Sequence, residues 1–204
     1  MIPKEQISGL ILAGGRGMRM GQVNKGLQNF QGGMMVSHVL HRLSPQVAQV
    51  SINVNQDADQ YKLFNCPLIA DAIPDYAGPL AGLHAGLLQC STPYLVTAPC
   101  DSPFLPLDLV KRLAHALDQQ KGQLAVAVTP ENLHGNIVWQ QQPVFCLVQA
   151  SLTNDLERFL LKGGRKISDW YAHLQVVEVT FDDALSFRNI NTRDELEQYN
   201  TSRD

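Results

Sequence analysis

Residues 7–21 read ISGLILAGGRGMRMG, and the fold class is inferred first from these residues. Its first seven residues form a compact apolar run, which is typical of a β-strand buried on both faces. The run ends in a glycine-rich segment that carries Arg16 and Arg19, and Lys25 follows four residues after the last glycine. In a doubly wound sheet the loop after the first strand faces the ligand crevice, so the stretch predicts an α/β fold with an anion-binding loop.

The rest of the chain alternates short apolar runs with amphipathic segments. Strands are predicted over residues 7–13, 49–55, 67–71, 94–100, 124–128, 143–148 and 175–181. Helices are predicted over residues 34–46, 79–90, 106–120 and 153–162, and the capping box Thr192-x-x-Glu195 begins a last one. This alternation predicts a Rossmann-like, doubly wound α/β fold with a mostly parallel sheet and helices on both faces. The less regular second half leaves room for an antiparallel strand, and we expect one domain over residues 1–204.

Composition excludes several classes of protein. The chain has 204 residues, of which 45% are hydrophobic and 17% charged, so intrinsic disorder is not expected. A formal net charge of -3 argues against a nucleic-acid partner. The four cysteines are widely spaced with no CxxC pair, which fits a reducing compartment. Neither a signal peptide nor an apolar stretch long enough to span a bilayer is evident, so we expect a cytoplasmic protein that does not enter a membrane.

Two familiar phosphate-binding motifs fail on spacing in the glycine-rich segment. The pattern GxGxxG, counted from Gly15, needs a glycine where the sequence has Met20. The pattern GxxxxGK[ST] fails because Gly26 is followed by Leu27. A tight connection between strand and helix remains an alternative, but the interleaved basic residues favour a loop whose backbone approaches an anion.

Asp101 ends the fourth predicted strand within the sequence APCDSP, between two prolines. A carboxylate at the carboxyl edge of the sheet, close to a polyphosphate, suits Mg²⁺, which prefers one or two carboxylates together with phosphate oxygens. Asp-Ser-Pro is also a common turn or helix-cap sequence. The basic glycine-rich loop favours the metal-binding interpretation.

Three more residues are predicted on the crevice side of the sheet. Asn53 lies on the second strand near its end, and Asp71 ends the third strand, where a carboxylate can accept hydrogen bonds from N1–H and the exocyclic amine of guanine. Gly78 precedes a helix, where it allows close approach of a base or ribose. Taken singly, Asn53 and Asp71 would more often be strand-end or turn residues, and simple helix–strand packing is the alternative for Gly78.

Together these stretches resemble a known family. LILAGG…RMG…NKGL and APCDSP resemble the nucleotidyltransferases that activate sugar phosphates and similar compounds. IADAIPDYAGPLAGL and FRNINTRDEL point within them to the molybdenum cofactor guanylyltransferases of the MobA type. The resemblance runs from residue 9 to the C-terminal helix and thus covers nearly the whole chain.

The resemblance implies GMP transfer from GTP to molybdenum-molybdopterin, with Mg²⁺ as cofactor and molybdopterin-inserting proteins and molybdoenzyme chaperones as further partners. Lys25, Arg19 and Asp101 are then the catalytic residues. Asp101 is the expected metal ligand. One asparagine of the RNINT segment, Asn189 or Asn191, is expected either to complete the metal shell, with Asn191 preferred, or to contact the pterin substrate. The expected nucleotide-binding residues are Leu12, Ala13, Gly14, Gly15, Lys25, Asn53, Asp71, Gly78 and Asp101.

The resemblance also implies a division of labour along the chain. Residues 1–105 are expected to hold GTP and Mg²⁺, and residues 106–204 to hold the pterin substrate. Arg165 and Lys166 are expected to neutralise the phosphate of that substrate. Trp139 and Trp170 could stack on a pterin or a guanine, although core packing is the favoured interpretation for both.

Three alternatives stay open on the sequence. The chain could use CTP with the same molybdenum cofactor, or any nucleoside triphosphate with a sugar-1-phosphate. It could also be a catalytically silent nucleotide-binding adaptor, which predicts a broken metal site. Lys25, Arg19 and Asp101 are all present, and this argues against the adaptor.

Overall fold

A central parallel strand organises the fold. The computed structural model describes residues 1–15, 24–73, 78–133 and 135–201. Strand β1 (Ile7–Leu12) pairs in parallel with β4 (Gln49–Asn53) on one side and with β6 (Tyr94–Pro99) on the other. Leu10 and Ile11 are fully buried, and they belong to different hydrophobic clusters. The apolar run is therefore continuous because both faces of β1 are covered.

Seven strands form one sheet in the order β5-β4-β1-β6-β8-β7-β9. Its remaining members are β5 (Leu68–Ile69), β7 (Leu124–Leu133), β8 (Asn136–Gln149) and β9 (Val176–Thr180). Only β8 is antiparallel to its neighbours β6 and β7. The predicted mostly parallel sheet is confirmed, and so is the antiparallel strand in the second half. A separate two-stranded sheet joins β2 (Asn29–Phe30) to β3 (Gly33–Met34).

Helices cover both faces of the large sheet, as predicted. The helices are α1 (Met35–Leu43), α2 (Ala58–Tyr61), α3 (Pro79–Leu88), α4 (Leu109–Gln120), α5 (Thr153–Leu161), α6 (Ile167–Tyr171) and α7 (Arg193–Thr201). Side chains of α1 and α4 pack in one hydrophobic cluster, and those of α3, α5 and α6 pack in the other. Within the described part of the chain, no helix has the length and apolarity needed to cross a membrane.

The hairpin of β7 and β8 is longer than the sequence indicates. The predicted strands stop at residue 128 and begin at residue 143, whereas the ladder continues to the pair Leu133–Asn136. Between Val126 and Ala127 the register shifts, and residues 143–145 are skipped. Trp139 lies on the outer part of this hairpin and is 47% exposed, so the expected core packing of Trp139 is wrong. Trp170 is fully buried, as expected.

The predicted capping box at the start of α7 is confirmed. The backbone N–H of Glu195 donates to Thr192 Oγ1 at 3.2 Å, and the N–H of Thr192 donates to Glu195 Oε2 at the same distance. The N–H of Asn191 also donates to Oε2, at 2.9 Å, and Arg188 Nη2 donates to Oε1. These bonds lower the pKa of the Glu195 carboxyl, the N–H of Asn191 contributing most.

This network predicts a pH-dependent contribution to stability. Because the folded-state pKa of Glu195 is depressed, its contribution is complete above the ordinary glutamate pKa of about 4.3 and disappears as pH falls through the folded pKa. The difference in unfolding free energy between the wild type and Glu195→Gln should therefore be constant between about pH 6 and pH 8 and should shrink below about pH 4. Urea denaturation across this pH range measures it.

Glu197→Gln is the matched control, since Glu197 is an exposed residue of the same helix. It removes one negative charge and keeps every bond to residues 188–192. Identical pH profiles for the two variants would show that the bonds of Glu195 do not stabilise the fold.

Candidate active site

The carboxyl edge of the sheet is where the candidate residues meet. From β1 the chain proceeds to β4 and β5 on one side, and β6 lies on the other side, so the strand order reverses between β1 and β6. Ligands bind at such a switch point in open α/β sheets. The N–H of Ala13 donates to Asn53 O at 2.9 Å, and the N–H of Cys100 donates to Leu12 O at 3.1 Å. The loop after β1 is thus fixed by both neighbouring strands.

One cluster at this edge joins Lys25, Asp101 and Asn191. The ammonium of Lys25 lies 3.0 Å from Asp101 Oδ2 and 2.6 Å from Asn191 Oδ1. Lys25 begins a short 3-10 helix, Lys25–Leu27, whereas Asp101 follows β6 and Asn191 precedes α7. The three residues are distant in sequence, and the structure brings them together as one cation between two oxygen acceptors.

The segment before α7 is tied to the segment after β6. The N–H of Ile190 donates to the carbonyl of Asp101 at 2.9 Å, and the hydroxyl of Ser102 donates to Asn189 Oδ1. The two asparagines that the sequence leaves open are thereby distinguished by their surroundings. Asn189 accepts from Ser102, while Asn191 directs its carbonyl oxygen to Lys25.

A second cluster surrounds the carboxylate of Asp71. Asn53 Nδ2 donates to Asp71 Oδ1, and Asn55 Nδ2 donates to Asp71 Oδ2, both at 2.8 Å. Asn55 Nδ2 also donates to the carbonyl of Gly14 at 3.1 Å. Each oxygen of the Asp71 carboxylate therefore accepts one amide hydrogen bond and keeps a further lone pair.

Two glycines permit the close packing around this second cluster. A Cβ at Gly14 would lie 2.7 Å from Asn53 Oδ1 and 2.6 Å from Asn55 Nδ2. A Cβ at Gly82 would lie 2.5 Å from Asn53 Oδ1. All three distances are shorter than a Cβ contact in a protein, so the two asparagines can hold these positions only because residues 14 and 82 are glycines. By contrast, a Cβ at Gly15 or at Gly78, where φ is +76°, would meet no atom of the described residues within 4 Å.

Other predicted residues are less closely placed. Arg16 and Arg19 lie outside the described residues. The guanidinium of Arg165 donates to the carbonyls of Leu160 and Gly164 at the end of α5, and Lys166 is exposed. Arg165 therefore has a local role as a helix cap, and contact with a substrate phosphate stays a prediction for both residues.

Three residues that shape the site were not predicted from the sequence. Asn55 binds Asp71, Ser102 binds Asn189, and the hydroxyl of Tyr61 donates to Asn24 Oδ1 at 2.7 Å beside Lys25. The spacing of Asn53 and Asn55 is the signal available for the first of them. Residues two apart at a strand end share one face, so both amides can reach the same neighbour.

Comparison with known proteins identifies the family. The sequence model of the MobA-like NTP transferase domain matches residues 9–177. A molybdenum cofactor guanylyltransferase from Ralstonia nicotianae is 56% identical over 199 residues, covering 97% of this chain and 98% of that protein. Another from Cupriavidus metallidurans is 51% identical over 203 residues, covering 100% of this chain and 98% of that protein.

A solved structure agrees with this assignment. Molybdopterin-guanine dinucleotide biosynthesis protein A from Archaeoglobus fulgidus superposes with a TM-score of 0.73 at 25% identity, covering 95% of this chain and 96% of that one. Fold, near-complete coverage and identity above 50% agree with one another. The chain belongs to the MobA-like NTP transferases and, among them, to the molybdenum cofactor guanylyltransferases.

Proposed function

We propose that this chain transfers GMP from GTP to molybdenum-molybdopterin and so forms the guanine dinucleotide cofactor and pyrophosphate. The observation that supports this best is the position of two carboxylates on either side of β1 and the loop after it, Asp71 beyond β5 and Asp101 beyond β6. The names of the relatives give no support to a cytidylyl or sugar-phosphate substrate, or to a silent adaptor.

Asp71 is the proposed reader of guanine. Its two oxygens already accept from Asn53 and Asn55, and the remaining lone pairs can accept N1–H and the exocyclic amine of guanine together. The loop of residues 12–15 lies beside Asp71 because Asn55 also binds the carbonyl of Gly14. In this proposal the backbone of residues 12–15 and of Gly78 contacts the nucleotide.

Asp101 and Asn191 fit a Mg²⁺ ion. The ammonium of Lys25 contacts one side-chain oxygen of each residue, so the two oxygens lie close enough together to share one cation. Two hard oxygen ligands suit a cation that completes its shell with phosphate oxygens and water. When bound, Mg²⁺ would neutralise charge on the phosphates of GTP. Lys25 would then bind phosphate oxygens, and Arg19 would add charge from the loop.

The chemistry requires positioning and neutralisation of charge. A phosphate oxygen of the acceptor forms a bond to the α-phosphorus of GTP, and the bond from that phosphorus to the bridging oxygen of pyrophosphate breaks. The attacking oxygen is anionic, so no general base is needed. The two anions repel each other, and Lys25 lowers this repulsion at the point of attack.

Residues 106–204 are proposed to face the pterin, with the exception of the segment just before α7. Asn191 contacts Lys25, so the segment before α7 belongs with the nucleotide end. Molybdopterin-inserting proteins and molybdoenzyme chaperones are the proposed partners that receive the product.

Turnover tests the proposed reaction directly. With molybdenum-molybdopterin and Mg²⁺, pyrophosphate should be released from GTP and much more slowly from CTP, ATP or UTP, and omission of the acceptor should abolish release. Asp101→Ala should lower kcat by a factor that corresponds to about 3–4 kcal/mol of transition-state stabilisation. A preference for CTP would mean that the base recognised is cytosine. If the folded protein turned over none of the four nucleotides, the proposed enzymatic activity would be contradicted.

Metal binding tests the Lys25 cluster in the absence of nucleotide. Since the ammonium of Lys25 contacts the same two oxygens that would bind a divalent cation, Lys25→Met should tighten the binding of Mn²⁺ alone by roughly tenfold. The same variant should bind GTP more weakly, because a phosphate-binding cation is lost. Electron paramagnetic resonance of free Mn²⁺ and calorimetry with GTP measure these opposite effects.

Lys62→Met is the control, because Lys62 pairs with Asp59 on an exposed surface. It should change neither affinity. Weaker binding of Mn²⁺ to Lys25→Met would mean that Asp101 and Asn191 do not form the cation site.

A further inference from the structure

Asn55 makes three hydrogen bonds that join separate loops. Its Nδ2 donates to the carbonyl of Gly14 at 3.1 Å and to Asp71 Oδ2 at 2.8 Å. Its Oδ1 accepts from the backbone N–H of Asp71 at 3.0 Å. One side chain thus connects the segments that follow β1, β4 and β5.

The effect of these bonds is to fix the plane of the Asp71 carboxylate. An aspartate held by one neighbour can still rotate about its terminal torsion, which has a broad energy minimum. Asp71 is held at both oxygens, by Asn53 at Oδ1 and by Asn55 at Oδ2. Its backbone is held as well, because its own N–H donates to Asn55. The two remaining lone pairs are therefore presented side by side in a fixed direction.

Asn53 and Asn55 differ in what else depends on them. Asn53 is 3% exposed, and its Nδ2 also donates to the carbonyl of Ile69. Its Oδ1 lies where a side chain at Gly14 or Gly82 would collide with it. Its removal would leave buried polar groups without partners, which destabilises the fold. Asn55 is only half-buried. A substitution at Asn55 can therefore affect the carboxylate without a large loss of stability.

We infer that Asn55 is a positioning residue that sets base specificity, by holding the Asp71 carboxylate ready for two parallel donors. The inference rests on the proposed contact between Asp71 and guanine. Guanine offers N1–H and an exocyclic amine side by side, whereas hypoxanthine offers N1–H alone. A fixed carboxylate accepts both donors of guanine, and a freely rotating one accepts a single donor in most orientations.

The consequence is a difference between GTP and ITP. Loss of Asn55 weakens the hydrogen bond between Asp71 and the exocyclic amine, which only GTP can form. The affinity for GTP should therefore fall more than the affinity for ITP. Both KM and the dissociation constant for GTP should rise, since Asn55 lies at the base end of the proposed nucleotide site and the reacting phosphates lie at the opposite end. A purely structural role would lower the activity with both nucleotides equally.

Asn55→Asp is the sharpest variant, because it keeps the shape and the acceptor but removes the amide donor and adds a repelling charge. Kinetics with molybdenum-molybdopterin should show that the ratio of kcat/KM for GTP over ITP falls about tenfold, mainly through KM for GTP. Asn55→Ala should lower the same ratio without adding charge. If Asn55→Asp fails to fold, as judged by thermal denaturation, Asn55→Ala decides.

Asn154→Asp is the matched control, an exposed asparagine of α5 that gains the same charge. It should leave the GTP to ITP ratio at the wild-type value. Binding of Mn²⁺ alone should be the same in the Asn55 variants and the wild type, because Asp101 and Asn191 are untouched.

Asp71→Ala separates the inference from the proposal that it rests on. If Asp71→Ala keeps the wild-type ratio, Asp71 does not read guanine and the proposed base contact fails. If Asp71→Ala abolishes the preference while both Asn55 variants retain it, the role of Asn55 is overturned and that of Asp71 stands. A reduced ratio in Asp71→Ala and in the Asn55 variants supports both.

Discussion

The ammonium of Lys25 is the interaction on which the arrangement of the site depends. Asp101 is only 8% exposed, and a carboxylate withdrawn from water needs a cation or several donors. Lys25 supplies the charge and also binds Asn191, which is 166 positions further along the chain. Burial raises the pKa of the adjacent Cys100 thiol, and Asp101 adds to the rise, so the thiol stays protonated at neutral pH. Within the described part of the chain, Lys25 therefore pairs with the carboxylate of Asp101, whose charge it balances.

The other end of the site is built on a different principle. Asp71 faces neutral amides, and Asn53 and Asn55 orient its carboxylate without neutralising it. The charge stays available for a ligand that donates hydrogen bonds, as a purine base does. Because Gly14 has no side chain, the loop after β1 can lie against both Asn53 and Asn55. The two ends of the site thus differ in electrostatics, with a cation paired to the carboxylate of Asp101 at one end and a carboxylate held by neutral amides at the other.

Sequence patterns predicted what depends on local composition. The apolar runs gave the seven strands of the sheet, and Thr192 with Glu195 gave the start of α7. The short α6 and the β2–β3 pair were not predicted, because segments of two to five residues carry too little periodicity. Trp139 was misjudged since aromatic residues are usually buried, whereas the outer β7–β8 hairpin is exposed on both faces. Asn55 was missed because its partners come from distant loops.

The site also depends on the order of the strands. After β6 the chain forms β7, then β8 antiparallel between β6 and β7, and then β9 at the edge of the sheet. Only after β9 does it return to the end of β6. There the N–H of Ile190 donates to the carbonyl of Asp101, and Asn191 reaches Lys25. Closing so long a loop costs conformational entropy, which the capping box of α7 and its bonds to residues 191 and 192 help to offset. The cluster of Lys25, Asp101 and Asn191 is therefore completed by elements late in the sequence, and its geometry depends on the whole sheet being formed.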